Sequence, residues 1–213
     1  MSPVTEMTVS EQMPYRSAAL QGIVNQEKYK LVKTHWANCR VNGFDSMPSG
    51  QTEGAIYIVR DPRDVVLSYS RHMRIPVDDT VVWMCNTNAT MGKPGEIYQR
   101  LGTWSEHVKS WTKETRFPVL VIRYEDMKAD PVATFGRVLE RLGLKNDPDL
   151  LERSIHVSSM SEIQRQEDEK GFNEKEGGER FFGDRNAPLK QEQQDKIERY
   201  HREVMEEFGY LNG

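Results

Sequence analysis

Only two cysteines occur in the chain, Cys39 and Cys85, and their spacing suits neither a metal knuckle nor a disulfide framework. No run of about 18 apolar residues exists, so no membrane-spanning helix and no membrane partner are expected. Positive charge is not in surplus: 29 Lys and Arg stand against 33 Asp and Glu, for a net charge of −4. That balance lacks the basic footprint of non-specific nucleic-acid binding, so no nucleic-acid partner is expected. The N-terminus, MSPVTEMTVSEQMPYRS, lacks a basic region followed by an apolar one and does not read as a secretory signal. A cytoplasmic setting with reduced thiols is the default expectation.

What is present is a chain of 213 residues, suited to one domain spanning 1–213. Residues 1–13 are polar without periodicity and are expected to be disordered. Helical spacing begins at residues 15–27. The runs YKLVKT (29–34), AIYIV (55–59) and PVLVI (118–122) read as buried strands. Residues 36–54 read as a loop rich in Asn, Gly, Ser and Pro. Asp61 and Pro62 are an N-cap and a first helical residue, with Val65, Val66, Tyr69 and Met73 at helical spacing behind them. Further helices are expected at 78–89, 96–113, 130–142, 150–166 and 189–208, with a mobile, glycine-containing charged loop at 167–180. Strands alternating with helices imply an α/β, three-layer α/β/α architecture around a parallel sheet.

The most informative stretch is YIVRDPRDVVLSYSRHM, residues 57–73. A buried strand delivers Arg60 to the carboxyl end of the sheet, where open α/β sheets bind ligands. Arg60 offers a planar fork of donors suited to phosphate, and Ser68, two turns into the helix, offers a hydroxyl. Taken alone, Arg60 could equally pair with a nearby Asp, and Ser68 could face solvent. The whole pattern, however, resembles the element of PAPS-dependent sulfotransferases that binds the 3′-phosphate of PAPS (3′-phosphoadenosine-5′-phosphosulfate). Arg60, Asp61, Pro62, Arg63, Asp64, Val65 and Ser68 fill its positions in order.

Two more stretches resemble the same family. VIRYEDMKADPVATFGRVLERLGL (121–144) is similar to its strand, Tyr-Glu-Asp and Pro-started helix, and the resemblance places Tyr124 near the adenine. KLVKTHW is similar to its strand ending in Lys-Thr-His. Sulfuryl transfer to a hydroxyl needs a base to take the acceptor's proton, and an imidazole titrating near neutrality suits that task. His35 is the candidate base. Lys33, two residues earlier on the expected strand, projects to the same face and could stabilise charge on the leaving oxygen. HVSSMSEI (156–163) resembles the segment flanking the adenine and points to Ser158 and Met160. In GERFFGDRN (178–186), Gly183 and Asp184 match the family, while its basic loop is reduced to Gly178, Glu179 and Arg180, leaving Arg180 as the remaining phosphate ligand there. NAPLKQEQQD does not resemble the family's dimerisation stretch.

The resemblance implies a P-loop NTPase-like sulfotransferase fold, PAPS as co-substrate and no metal. It implies transfer of a sulfuryl group, by in-line attack, to a hydroxyl or amine of a small-molecule or glycoconjugate acceptor, with a slight leaning towards bacterial enzymes. Trp36, Trp83 and Met84 are candidates to line an acceptor pocket. Only 28 residues precede Tyr29, fewer than the roughly 30 or more of a βαβ unit, and they hold no apolar strand followed by a glycine loop. Pro48-Ser49-Gly50-Gln51-Thr52 runs into a strand and not into a helix, so it does not substitute. The chain is therefore expected to be N-terminally incomplete, lacking the loop that wraps the 5′-phosphosulfate. The alternative function is a catalytically inactive fragment that binds PAP or serves as a scaffold.

Overall fold

The computed structural model describes residues 6–24, 30–92, 97–171 and 188–211. Helix α1 (Val9–Val24) comes first. It starts inside the stretch expected to be disordered, because Thr8 and Glu11 cap it reciprocally. The Thr8 N–H donates to Glu11 Oε2 at 2.8 Å, and the Glu11 N–H donates to Thr8 Oγ1 at 3.4 Å, which is the Thr-x-x-Glu capping box. Met13 is fully buried and packs with Trp36 and Val41 in a small N-terminal core.

A second correction concerns the strand expected at residues 29–34. Tyr29 lies outside the described residues, and residues 30–34 join no ladder. Leu31 is 82% exposed and Val32 44%, so little apolar burial rewards sheet formation there. The stretch expected to be a loop holds a tight hairpin instead, β1 (Arg40–Val41) and β2 (Phe44–Asp45). Its two turn residues, Asn42 at φ 49° and Gly43 at φ 81°, supply the positive φ that a two-residue hairpin turn requires.

Strand β3 (Ala55–Val59) leads into α2 (Pro62–Met73), capped by Asp61, whose side chain accepts from the Arg63 N–H at 2.9 Å. Helix α3 (Val77–Met84) is shorter than its pattern, and β4 (Thr90–Met91) pairs antiparallel with β5 (Gln99–Arg100). That pairing displaces the next helix from residue 96 to α4 (Trp104–Thr112), where Thr103 and Glu106 form a capping box. Strand β6 (Val119–Arg123) runs parallel to β3, with Ala55 opposite Val119 and Val59 opposite Arg123. The α/β class with a parallel sheet holds.

Helices α5 (Tyr124–Ala129), α6 (Pro131–Arg141), α7 (Pro148–Val157), α8 (Met160–Lys170) and α9 (Gln191–Glu207) follow. The helix expected at 150–166 is interrupted at Ser159, whose hydroxyl accepts from the Glu162 N–H and restarts the chain as α8. Because α8 runs to Lys170, the first residues of the expected loop at 167–180 are helical, and residues 172–180 lie outside the described residues. The main core joins Val59 of β3 to Val66 of α2, Val81 and Met84 of α3, Val108 of α4, and Ile197, Val204 and Met205 of α9. Each such side chain contributes about 1.5–3 kcal/mol by burial. Together they fix the carboxyl end of the sheet from which the site is built.

Candidate functional site

Parallel pairing sets the geometry. Val59 lies opposite Arg123, so the next residues, Arg60 and Tyr124, leave the sheet side by side at its carboxyl end. The guanidinium carbon of Arg60 sits 4.5 Å from the Tyr124 ring centroid, a cation–π contact. Arg60 Nη2 donates to Asp64 Oδ2 at 3.1 Å, so the local pairing that the sequence left open does form. It uses little of the fork. Asp64 is 53% exposed, and Arg60 Nε is buried with no hydrogen-bond partner. An unpaired buried donor is costly unless a ligand meets it. The guanidinium plane is held against the Tyr124 ring, and its remaining fork is not taken up by Asp64.

The neighbouring charges hold the scaffold. Arg63 donates to Asp61 at 2.6 Å, to Glu198 of α9 at 2.9 Å and to the Tyr210 carbonyl at 2.8 Å. Glu125 accepts from the Asp61 N–H at 3.1 Å and from the Tyr210 hydroxyl at 3.0 Å. It therefore ties the two strand ends to each other and to Tyr210. Ser68 is half-buried on α2. Ser158 caps α7 and Met160 opens α8, both exposed, and no hydrogen bond or ring contact joins them to Arg60 or Tyr124 among the described residues. Arg180 lies outside the described residues.

Among the described residues the segment carrying Lys33 and His35 joins no ladder; one backbone bond, from the Ala37 N–H to the Arg100 carbonyl at 2.9 Å, ties its end to β5, and side chains anchor the rest. The Arg16 guanidinium donates to Thr34 Oγ1 at 3.3 Å. The His35 N–H donates to Gln99 Oε1 at 3.2 Å, and the His35 carbonyl accepts from His107 Nε2 at 3.1 Å. Trp36, next in line, is 1% exposed, and its carbonyl accepts from Trp111 Nε1 at 3.0 Å. The His35 side chain is exposed, yet partial desolvation lowers its pKa, and the charges of Lys33 and His72 lower it further. The imidazole is thus held in its proton-accepting form at neutral pH. Lys33 is exposed, and its charge reaches His35.

Sequence reasoning missed Tyr57, Gln99 and His107. A polar His107 inside the apolar spacing of Trp104, Val108 and Trp111 was the available signal. Of the expected pocket residues, Trp36 and Met84 belong to the cores, while Trp83 of α3 stacks on Tyr69 of α2 with centroids 4.5 Å apart.

Comparisons with known proteins point one way. A family model described as sulfotransferase domain matches residues 18–209. Sulfotransferase 2A2 of Mus musculus is 28% identical over 148 residues, covering 65% of this chain and 47% of the relative. Sulfotransferase 1B1 of Canis lupus familiaris is 27% identical over 169 residues, covering 74% of this chain and 51% of the relative. The crystal structure of retinol dehydratase in complex with androsterone and inactive cofactor PAP shares the fold, with a TM-score of 0.52 at 22% identity over 70% of this chain and 46% of that one. The chain spans about half the length of the curated relatives it matches.

Proposed function

Since the chain belongs to the sulfotransferase domain family, we propose that its site serves sulfuryl transfer from PAPS to a hydroxyl or amine acceptor. One observation carries the reading. Arg60 and Tyr124 meet at the carboxyl end of the sheet, with a buried guanidinium donor left unpaired. In this reading Arg60 receives the 3′-phosphate, Tyr124 braces the guanidinium and borders the adenine, and Ser68 offers its hydroxyl from α2. Ser158, Met160 and Arg180 are the family-derived contacts to the rest of the nucleotide.

PAPS supplies the activated sulfuryl group. The chain's own part in the chemistry falls to the Lys33–His35 segment. The His35 imidazole, kept neutral by partial desolvation and neighbouring positive charge, takes the acceptor's proton as its oxygen or nitrogen attacks sulfur in line. Lys33 offsets negative charge on the bridging oxygen as PAP departs. The acceptor class is a small molecule or glycoconjugate. The test, on the chain extended to carry the expected 5′-phosphosulfate loop, is transfer of label from [35S]PAPS to a panel of phenols, alcohols and amines. Labelled product in wild type but not in the Arg60→Ala variant supports the reading. Equal product from both removes Arg60 from the site.

A further inference from the structure

We propose that His107 and Tyr57 are positioning residues for His35, acting through its backbone carbonyl. This rests on the reading of His35 as the base. Among the described residues the chain around His35 joins no ladder. The Ala37 N–H donates to the Arg100 carbonyl at 2.9 Å and the Trp36 N–H to Thr34 Oγ1 at 3.2 Å, which leaves the His35 carbonyl to a side-chain partner. His107 is that partner, from α4. Its Nε2 lies 3.1 Å from the His35 carbonyl oxygen, and its Nδ1 lies 2.9 Å from the Tyr57 hydroxyl of β3.

The roles at each atom follow from chemistry. A carbonyl oxygen only accepts, so His107 Nε2 carries the proton. A neutral imidazole then presents a lone pair at Nδ1, and the Tyr57 hydroxyl must donate to it. Both groups keep the forms this requires: burial lowers the His107 pKa and raises that of Tyr57. The Tyr57 and His107 rings stack with centroids 5.8 Å apart, and Tyr57 also stacks on Trp111 at 6.0 Å. Neither ring can rotate freely. With both nitrogens of His107 engaged, this second histidine is no rival for the base. It transmits the rigidity of β3 and α4 to a strandless segment. Misplacing a reacting group by about 1 Å costs on the order of 10²-fold in rate, so a peptide-plane anchor beside the base affects turnover directly.

Four variants separate the possibilities: His107→Phe, His107→Gln, Tyr57→Phe and, as reference, His35→Ala. Gln keeps an N–H donor near the Nε2 position, whereas Phe keeps only ring bulk. Each variant is checked for wild-type thermal unfolding, and Tyr57→Phe deletes a single oxygen should His107→Phe fail to fold. The first readout needs no turnover. In histidine side-chain NMR titrations, His35 should titrate below the ordinary range in wild type, in keeping with its partial desolvation and the nearby charges of Lys33 and His72. It returns towards the ordinary value in His107→Phe and stays low in His107→Gln. The second readout is kinetic, on the extended chain: kcat falls at least about tenfold in His107→Phe and by a smaller factor in Tyr57→Phe, with the KM for PAPS within about twofold, and His107→Gln recovers most of the loss. An unchanged His35 titration in both His107→Phe and Tyr57→Phe overturns the inference. A shifted titration together with full turnover in His35→Ala leaves the anchor standing and removes the base assignment.

Discussion

The guanidinium of Arg60 lies 4.5 Å above the ring of Tyr124, so the Arg-Asp-Pro turn and the Tyr-Glu-Asp turn present one surface. Parallel pairing of β3 with β6 places the two residues side by side, because they follow opposed positions of the ladder. Tyr124→Leu removes the brace but leaves the donors. PAP affinity should fall about 3- to 10-fold, the worth of roughly one partly desolvated cation–π contact. In the Tyr124→Leu background, Arg60→Ala should cost less than it does in wild type, because the two residues act together. Strict additivity in a calorimetric double-mutant cycle would separate them.

The arginines of the same turn divide their labour. Arg63 ties Asp61, Glu198 and the Tyr210 carbonyl together, whereas Arg60 leaves a donor unpaired. Arg63→Ala should therefore destabilise the fold by about 1–3 kcal/mol, allowing for its partial exposure. Arg60→Ala should cost less than Arg63→Ala, because it loses one exposed ion pair and one cation–π contact while removing an unpaired buried donor. Urea midpoints of the two variants test the division, and a reversal of their order would refute it.

In a chain extended to carry the expected 5′-phosphosulfate loop, His35→Ala should lower kcat by roughly 10²–10⁴-fold, the usual contribution of a positioned base. PAP affinity should stay within about twofold, because the proposed contact is to the acceptor's proton. Lys33→Ala should also lower kcat, and the double variant need not show the product of the two losses. Near-wild-type turnover in His35→Ala would place the base elsewhere.

Acid sensitivity has an assignable source. His201 is 1% exposed, with Nδ1 2.9 Å from Ser105 Oγ and Nε2 3.8 Å from Cys85 Sγ. Burial pushes its pKa down from 6.5 to about 4. Between those values the unfolded chain binds the proton and the folded one does not, so stability falls as pH drops from 6.5 towards 4. The full loss from this residue is about 3 kcal/mol. His201→Gln should flatten that part of the stability–pH curve, read from urea midpoints at each pH. Parallel curves for wild type and variant would contradict the assignment.

Much of the surface at the ends of β3 and β6 was legible in the sequence, because each of its signals is local. Asp61 and Pro62 announce the start of α2, and apolar five-residue runs announce β3 and β6. The anchoring of residues 30–35 was not legible. The segment at 30–35 has strand composition, yet its anchors, Gln99, His107 and Arg16, come from elsewhere in the chain. Composition reports what a segment prefers, whereas tertiary partners decide whether an extended run joins a ladder. Two local signals were readable and were passed over. Asn42-Gly43 marks a hairpin turn, and Thr103 with Glu106 marks where α4 begins. Trp36 and Met84 show the opposite failure, since an apolar residue in a variable stretch reads alike whether it lines a pocket or fills a core.

The central claim is that the β3–α2 turn receives the nucleotide's 3′-phosphate, and isothermal titration with PAP tests it most directly. Wild type should bind PAP, and Arg60→Ala should bind it at least about tenfold more weakly, a loss of roughly 1.4 kcal/mol or more from one charge-assisted phosphate contact. Adenosine 5′-phosphate, which lacks the 3′-phosphate, should bind both proteins with the same low affinity. Equal PAP affinity in wild type and Arg60→Ala, or no preference of wild type for PAP over adenosine 5′-phosphate, would contradict the account.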